Sequence, residues 1–136
     1  MKKLIEISTV VIFILSITFS SCKKYDDGPM ISLASKKSRV VNKWVYESVM
    51  QNGVNTTSFY TAVYDYIELK KDGSISCVKG AVSINGTWAF DSKKENIITT
   101  IASDVKTNKI LKLKSDEMWL EEENLLGAIT YHYKSK

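Results

Sequence analysis

Tyr66-Ile67-Glu68-Leu69-Lys70-Lys71-Asp72-Gly73-Ser74-Ile75-Ser76-Cys77-Val78-Lys79 is the stretch that decides the fold. Over residues 66–70 apolar and polar side chains alternate with a period of two. Ile67 and Leu69 point one way, and Tyr66, Glu68 and Lys70 the other. That pattern marks a strand with one buried face. Lys71-Asp72-Gly73 then turns the chain, since an Asp-Gly step accepts positive φ at little cost. The alternation resumes over 74–79 with Ile75 and Cys77 inward. Two short strands and a tight turn make an antiparallel hairpin.

The same grammar runs outward in both directions. Residues 41–50 read as a strand closed by Asn52-Gly53, a favoured turn dipeptide. Residues 58–70 read as the next, weak at the start and clear from Tyr66. After the hairpin, Gly80 breaks the run and 83–91 form a strand with Gly86, Trp88 and Phe90 on one face. A polar turn at 92–95 leads into 96–101, which is β-branched almost throughout. Residues 103–108 read as a loop, and 110–114 as a strand with Leu111 and Leu113 inward. A turn at 115–117 gives a strand at 118–122 with Met118 and Leu120 on the core side. The last turn, 124–127, precedes a strand at 128–134, with Tyr131 and Tyr133 on one face and His132 on the other. No stretch shows a helical stripe.

Eight consecutive strands, each with one apolar face, must hide that face and their edges. The fold class expected is all-β: a small eight-stranded antiparallel up-and-down barrel, since eight strands close a barrel filled by side chains or one small ligand. A two-sheet sandwich has the same strand count and stays open as the alternative.

The first 21 residues have a different composition. Met1-Lys2-Lys3 is a positive start, and the run from 4 to 19 is apolar, broken by Glu6 and a few hydroxyl residues. These are the regions of a secretory signal. Its 16 residues fall short of the roughly 20 needed to cross a bilayer. The closing Phe19-Ser20-Ser21-Cys22 resembles a bacterial lipobox, with Phe19 a looser version of the usual large aliphatic residue. The resemblance implies cleavage before Cys22, a diacylglycerol thioether on its sulfur and an acylated N-terminus. The organisation expected is a signal peptide at 1–21, a lipidated N-terminus and flexible linker at 22–39, and the barrel domain at 40–136. Lys23-Lys24-Tyr25-Asp26-Asp27 resembles the acidic export signals of some surface lipoproteins of the Bacteroidetes. The implied location is the outer membrane, lipid-anchored, with the side left open.

The remaining 115 residues suffice for one domain with one core. Loss of Lys2, Lys3 and Glu6 takes the net charge from +4 to +3. Arg39 is the only arginine, in the basic cluster Lys36-Lys37-Ser38-Arg39, which reads as solvated, with a contact to lipid head groups as the alternative. Nucleic-acid binding favours clustered arginine on a strongly basic face and is set aside. Cys22 is used by lipidation, so Cys77 has no disulfide partner and reads as a small buried hydrophobe. The single histidine, His132, cannot build a multi-histidine metal site, and no serine sits in a nucleophile motif. No metal, cofactor or catalytic residue is expected. Neighbouring Glu121, Glu122 and Glu123 cannot all face one site, because strand neighbours alternate sides.

A family pattern emerges from four segments: Asn42-Lys43-Trp44, the 66–73 hairpin, Asn85-Gly86-Thr87-Trp88-Ala89-Phe90-Asp91, and Met118-Trp119-Leu120 in the 111–120 hairpin. Together they resemble the lipocalin-like lipoproteins of the Bacteroidetes over about residues 40–134. Trp44 matches the tryptophan that closes the base of a lipocalin barrel. Asn42 stands where that family has glycine, and the arginine its members carry on the last strand has no counterpart.

The resemblance implies a membrane-anchored binding module, not an enzyme, for a small apolar ligand or a protein partner. The alternative is a structural or accessory envelope lipoprotein with a filled core. Trp44, Tyr46, Trp88 and Phe90 sit at inward positions and are the candidate ligand contacts, against core packing as the other reading. Trp119 shares the outward face of its strand with Glu121, covered by the N-terminal segment or exposed. Bulky inward residues on short strands leave little room at protein packing density. A small or absent cavity is therefore expected, with ligand contact at a mouth near Asn52-Gly53 and the 103–108 loop or between the barrel and the linker.

The anchor gives the first prediction. Each acyl chain contributes on the order of 10 kcal/mol at about 0.8 kcal/mol per buried methylene, so attachment is effectively permanent. Cys22→Ala should leave the precursor uncleaved and unlabelled by a palmitate analogue. A processed, labelled alanine variant would refute lipidation at this cysteine.

Overall fold

The computed structural model describes residues 34–136. The leader, Cys22 and most of the linker lie outside the described residues. The elements run α1 (Lys36–Val40), β1 (Asn42–Gln51), β2 (Val54–Asn55), α2 (Thr57–Val63), β3 (Tyr66–Leu69), β4 (Ser74–Lys79), β5 (Val82–Phe90), β6 (Asn96–Ile101), β7 (Asp104–Leu113), β8 (Glu117–Asn124) and β9 (Gly127–Ser135). Every pairing is antiparallel. β1 pairs with β3, each strand from β3 to β8 pairs with its successor, and β9 returns to β1. The result is a closed eight-stranded up-and-down barrel, with β2 a two-residue flap on the end of β1. Closure excludes the sandwich.

The closing ladder pairs Trp44 with Ser135, Tyr46 with Tyr133 and Val49 with Tyr131. Its register slips between Tyr46 and Ser48, so Glu47 is an extra residue in β1. A bulge of this kind bends and twists the strand, which a narrow barrel requires. It also moves the inward set from Trp44 and Tyr46 to Val49. Gly86 marks a tight point of the opposite wall: a Cβ there would stand 2.1 Å from the Thr100 carbonyl oxygen. Only glycine lets β5 approach β6 so closely.

One end of the barrel is sealed. Trp44 is fully buried, and its Nε1 donates to the Val40 carbonyl at 2.9 Å. Trp88 is also buried; its Nε1 donates to the Lys70 carbonyl at 2.9 Å, and its ring meets Phe90 edge to face at 5.5 Å. Leu113, Met118 and Val40 complete this base with no exposed surface. The helix α1 lies across it, capped by Ser35, whose hydroxyl accepts from the Ser38 amide at 3.1 Å. Arg39 Nη1 donates to the Leu113 carbonyl at 2.9 Å. The basic cluster expected in the solvated linker thus forms this helix, with Arg39 tied to the base.

Three further differences from the sequence reading have physical causes. Residues 57–63 form α2, not the start of a strand. β3 reaches only Trp44 to Asn42 on β1, so the upper part of β1 needs another neighbour. The Thr56–Thr57 corner supplies it: the Thr56 amide donates to the Val49 carbonyl and the Val49 amide to Thr57 Oγ1. Residues 104–108, read as a loop, are the first half of β7, paired from Ile101–Asp104 to Asn96–Lys109. Finally, β7 bulges between Ile110 and Lys112, so Ile110 is buried and Leu111, expected inward, is the half-buried extra residue.

Trp88→Ala removes a buried ring and an anchored N–H, so it should cost roughly 3–5 kcal/mol. Exposed Lys70→Ala, which keeps the accepting carbonyl, should cost almost nothing. Urea midpoints of the two variants check this, and similar midpoints would refute the assignment of faces.

Candidate functional site

Toward the opposite end the barrel is not filled. A cavity of about 210 Å³ lies among inward residues of β1, β3, β4 and β6–β9 and beneath α2. Its lower part is apolar: Ile67, Leu69, Ile75, Cys77, Ile97, Met118 and Leu120. One wall is phenolic. Tyr46, Tyr60, Tyr131 and Tyr133 contact one another, with Tyr46 and Tyr133 centroids 4.9 Å apart and Tyr60 edge-on to Tyr131 at 5.5 Å. The helix α2 supplies Tyr60, and Tyr64, the extended residue that ends it, adds a second phenol to the lining.

The adjoining wall is polar and belongs to β7 and β8. Glu122 is buried at 8% exposure. Lys106 Nζ donates to both its carboxylate oxygens, at 3.1 and 3.2 Å, and the Tyr131 hydroxyl donates to Oε2 at 2.9 Å. Asn108 is buried beside it, its Nδ2 donating to the Ile97 carbonyl at 3.4 Å. Thr99 and Asp104 complete the lining at the lip.

Burial sets the protonation of the phenols. It raises Tyr46, against a partly offsetting hydrogen bond from Tyr133, and it raises Tyr133 as well, helped by Tyr46 beside it. Tyr131 is raised by burial first, then by its hydrogen bonds to Tyr60 and Glu122. All three therefore stay protonated and act as O–H donors. Burial pushes the Cys77 thiol up to about 11, so it is neutral at ordinary pH.

Of the four sequence-derived contacts, Tyr46 alone faces this cavity. Trp44, Trp88 and Phe90 pack the sealed base. Lys106 and Asn108 were hidden because 104–108 has the polarity of a loop; that polarity is the site itself, inward positions that stay hydrophilic. Glu122 had a usable signal, since the alternation through Met118 and Leu120 leads to it. Trp119 is half-buried by described residues, and the N-terminal segment expected to cover it lies outside them. Its ring stacks on His132 at 4.1 Å on the outer wall, under Lys112 Nζ at 4.2 Å. Lys112 also donates to Glu117 at 2.9 Å, holding that carboxyl below its ordinary value.

The mouth has its own character. Among the described residues the exposed large apolar side chains are Val54, Phe59, Val63, Val82, Ile84, Val105, Leu125 and Leu126. All belong to α2 or to the hairpins at this end.

No family model, curated protein or solved structure matches the chain.

The raised Cys77 thiol yields a prediction inside the cavity. At pH 8 only about one thiol in a thousand would be ionised, and the thiolate is the reactive form. Iodoacetamide should leave Cys77 unmodified in the native protein and label it fully in urea, read by intact mass. Rapid native labelling would contradict a buried, neutral thiol.

Proposed function

We propose that this chain is a lipid-anchored, lipocalin-like binding module of the bacterial cell envelope, carried on the outer membrane through Cys22 and holding one compact ligand in its barrel. The observation that carries the reading is the cavity: about 210 Å³ with an apolar floor and polar groups converging on one wall. Binding sites have that composition. The size selects the ligand. A cavity of about 150 Å³ takes benzene, so this one suits a molecule of about ten non-hydrogen atoms. Drug-sized pockets begin near 300 Å³, and a long acyl chain would not fit. The apolar mouth offers a path by which such a molecule enters.

The site is proposed as a binder, not a catalyst. Its buried carboxylate already accepts from Lys106 and Tyr131, and its thiol is held neutral. A protein partner is the second reading, favoured by the ring of exposed apolar residues around the mouth.

Native mass spectrometry of the chain released from its membrane in detergent tests the proposal. A single small adduct at one-to-one stoichiometry is expected, together with poor retention of added palmitate. Ile101→Trp, which places an indole in the lining, should displace the adduct. Tight palmitate binding, or an adduct indifferent to Ile101→Trp, would overturn the cavity as the site. A stoichiometric polypeptide with an empty cavity, lost on Leu125→Ser with Leu126→Ser, would favour the second reading.

A further inference from the structure

Resting on the binding reading, we infer that the ligand is a small organic cation, an amine on a compact aromatic or apolar body, and that Lys106 holds the place its ammonium group would take.

The argument begins with the unequal burial of the Glu122–Lys106 pair. The glutamate side chain is 11% exposed and the lysine side chain 44%. Glu122 is fixed, since Tyr131 holds its Oε2 from inside the barrel. Lys106 is rooted at the lip on a long flexible stem and can return its head to water. The immobile, desolvated charge is therefore negative, and the exchangeable one positive.

That asymmetry decides the sign of the ligand. An incoming ammonium can displace Lys106 and leave every buried charge paired. An incoming carboxylate must draw Lys106 away from Glu122, and an uncompensated buried carboxylate is strongly unfavourable. Asp104, also at the lip, adds a second negative charge to a lining whose cation is Lys106.

The phenolic wall is joined to the same carboxylate. Tyr131, hydrogen-bonded to Glu122, touches the rings of Tyr46 and Tyr60, with centroids 6.3 and 5.5 Å away. The Tyr131 hydroxyl thus joins the carboxylate to a cluster of aromatic rings, which offers a surface for the compact body of an amine bound at Glu122. The apolar floor receives the rest of the molecule.

Calorimetry with the full chain in detergent at pH 7 tests this, using three probes of similar shape: phenethylamine, 2-phenylethanol and 3-phenylpropanoate. The amine should bind about tenfold or more tightly than the alcohol or the acid, as expected for pairing with a desolvated carboxylate. Glu122→Gln should remove that preference. Lys106→Ala should tighten amine binding several-fold, because the internal competitor is gone, and the amine should raise its melting temperature more than that of the parent chain. Circular dichroism confirms that each variant is folded, and Lys106→Gln replaces Lys106→Ala should that variant fail. Preference for the acid, lost on Lys106→Ala, would overturn the inference and make this an anion site. Equal binding of all three probes would also overturn it while leaving the binding module standing. No binding of any probe would bring down both.

Discussion

Closure of β9 onto β1 is the constraint on which everything else depends. A small antiparallel sheet with one apolar face has two unpaired edges, and each exposes a row of amide and carbonyl groups. The Trp44-to-Gln51 ladder with β9 removes both edges at once. Closure at this radius demands curvature that eight straight strands do not have. The chain meets the demand at named places: the extra Glu47 in β1, the extra Leu111 in β7, and Gly86 pressed against the Thr100 carbonyl. Each re-aims the side chains beyond it, so the inward set is fixed by closure as well as by alternation.

Once closed, the barrel has an inside that must be either filled or given a use. The base is filled by Trp44, Trp88, Leu113 and Met118, and both indole N–H groups find backbone carbonyls. Toward the mouth the inward residues become tyrosines, Asn108, Lys106 and Glu122. A buried carboxylate is costly to desolvate, and replacing a buried ion pair by apolar residues often leaves a protein as stable or more so. An apolar residue at 122 would have continued the core from Met118 and Leu120. The polar wall is therefore poorly explained by stability, which is why a binding role is the better account of it.

The pattern of what was legible in the sequence follows from the same division. Where inward residues are apolar, alternation located the strands closely: 74–79 and 96–101 coincide with β4 and β6, and Trp88 lies inside as its face requires. Alternation fails where inward positions turn polar, and 104–108 disappeared into an apparent loop for that reason. It fails by one residue at the Leu111 bulge, because a bulge arises from curvature and leaves no local signature. It fails again over 57–63, whose helix answers a missing strand neighbour on β1, a tertiary circumstance. The base was readable because packing repeats a simple rule; the polar wall was not, because its inward residues depart from it.

The two ends also differ in surface chemistry, and the difference bears on how an anchored barrel would stand. The chain enters at the base through α1, so whatever precedes residue 34 joins opposite the mouth. Around that base lie Lys36, Lys37, Arg39, Lys70, Lys71, Lys93, Lys94 and Lys114, against Asp72, Asp91, Glu95 and Asp116. Attraction to an anionic lipid surface is about 1 kcal/mol per basic residue near it, and it fades within a Debye length. With the anchor proposed at Cys22, the eleven residues between it and Ala34 span at most about 40 Å, more than the height of a barrel whose longest strands have ten residues. The linker alone would let either end meet the membrane. Under that proposal the basic base would favour contact with the lipid and would turn the mouth, with Glu122 and the phenolic wall behind it, toward the solution.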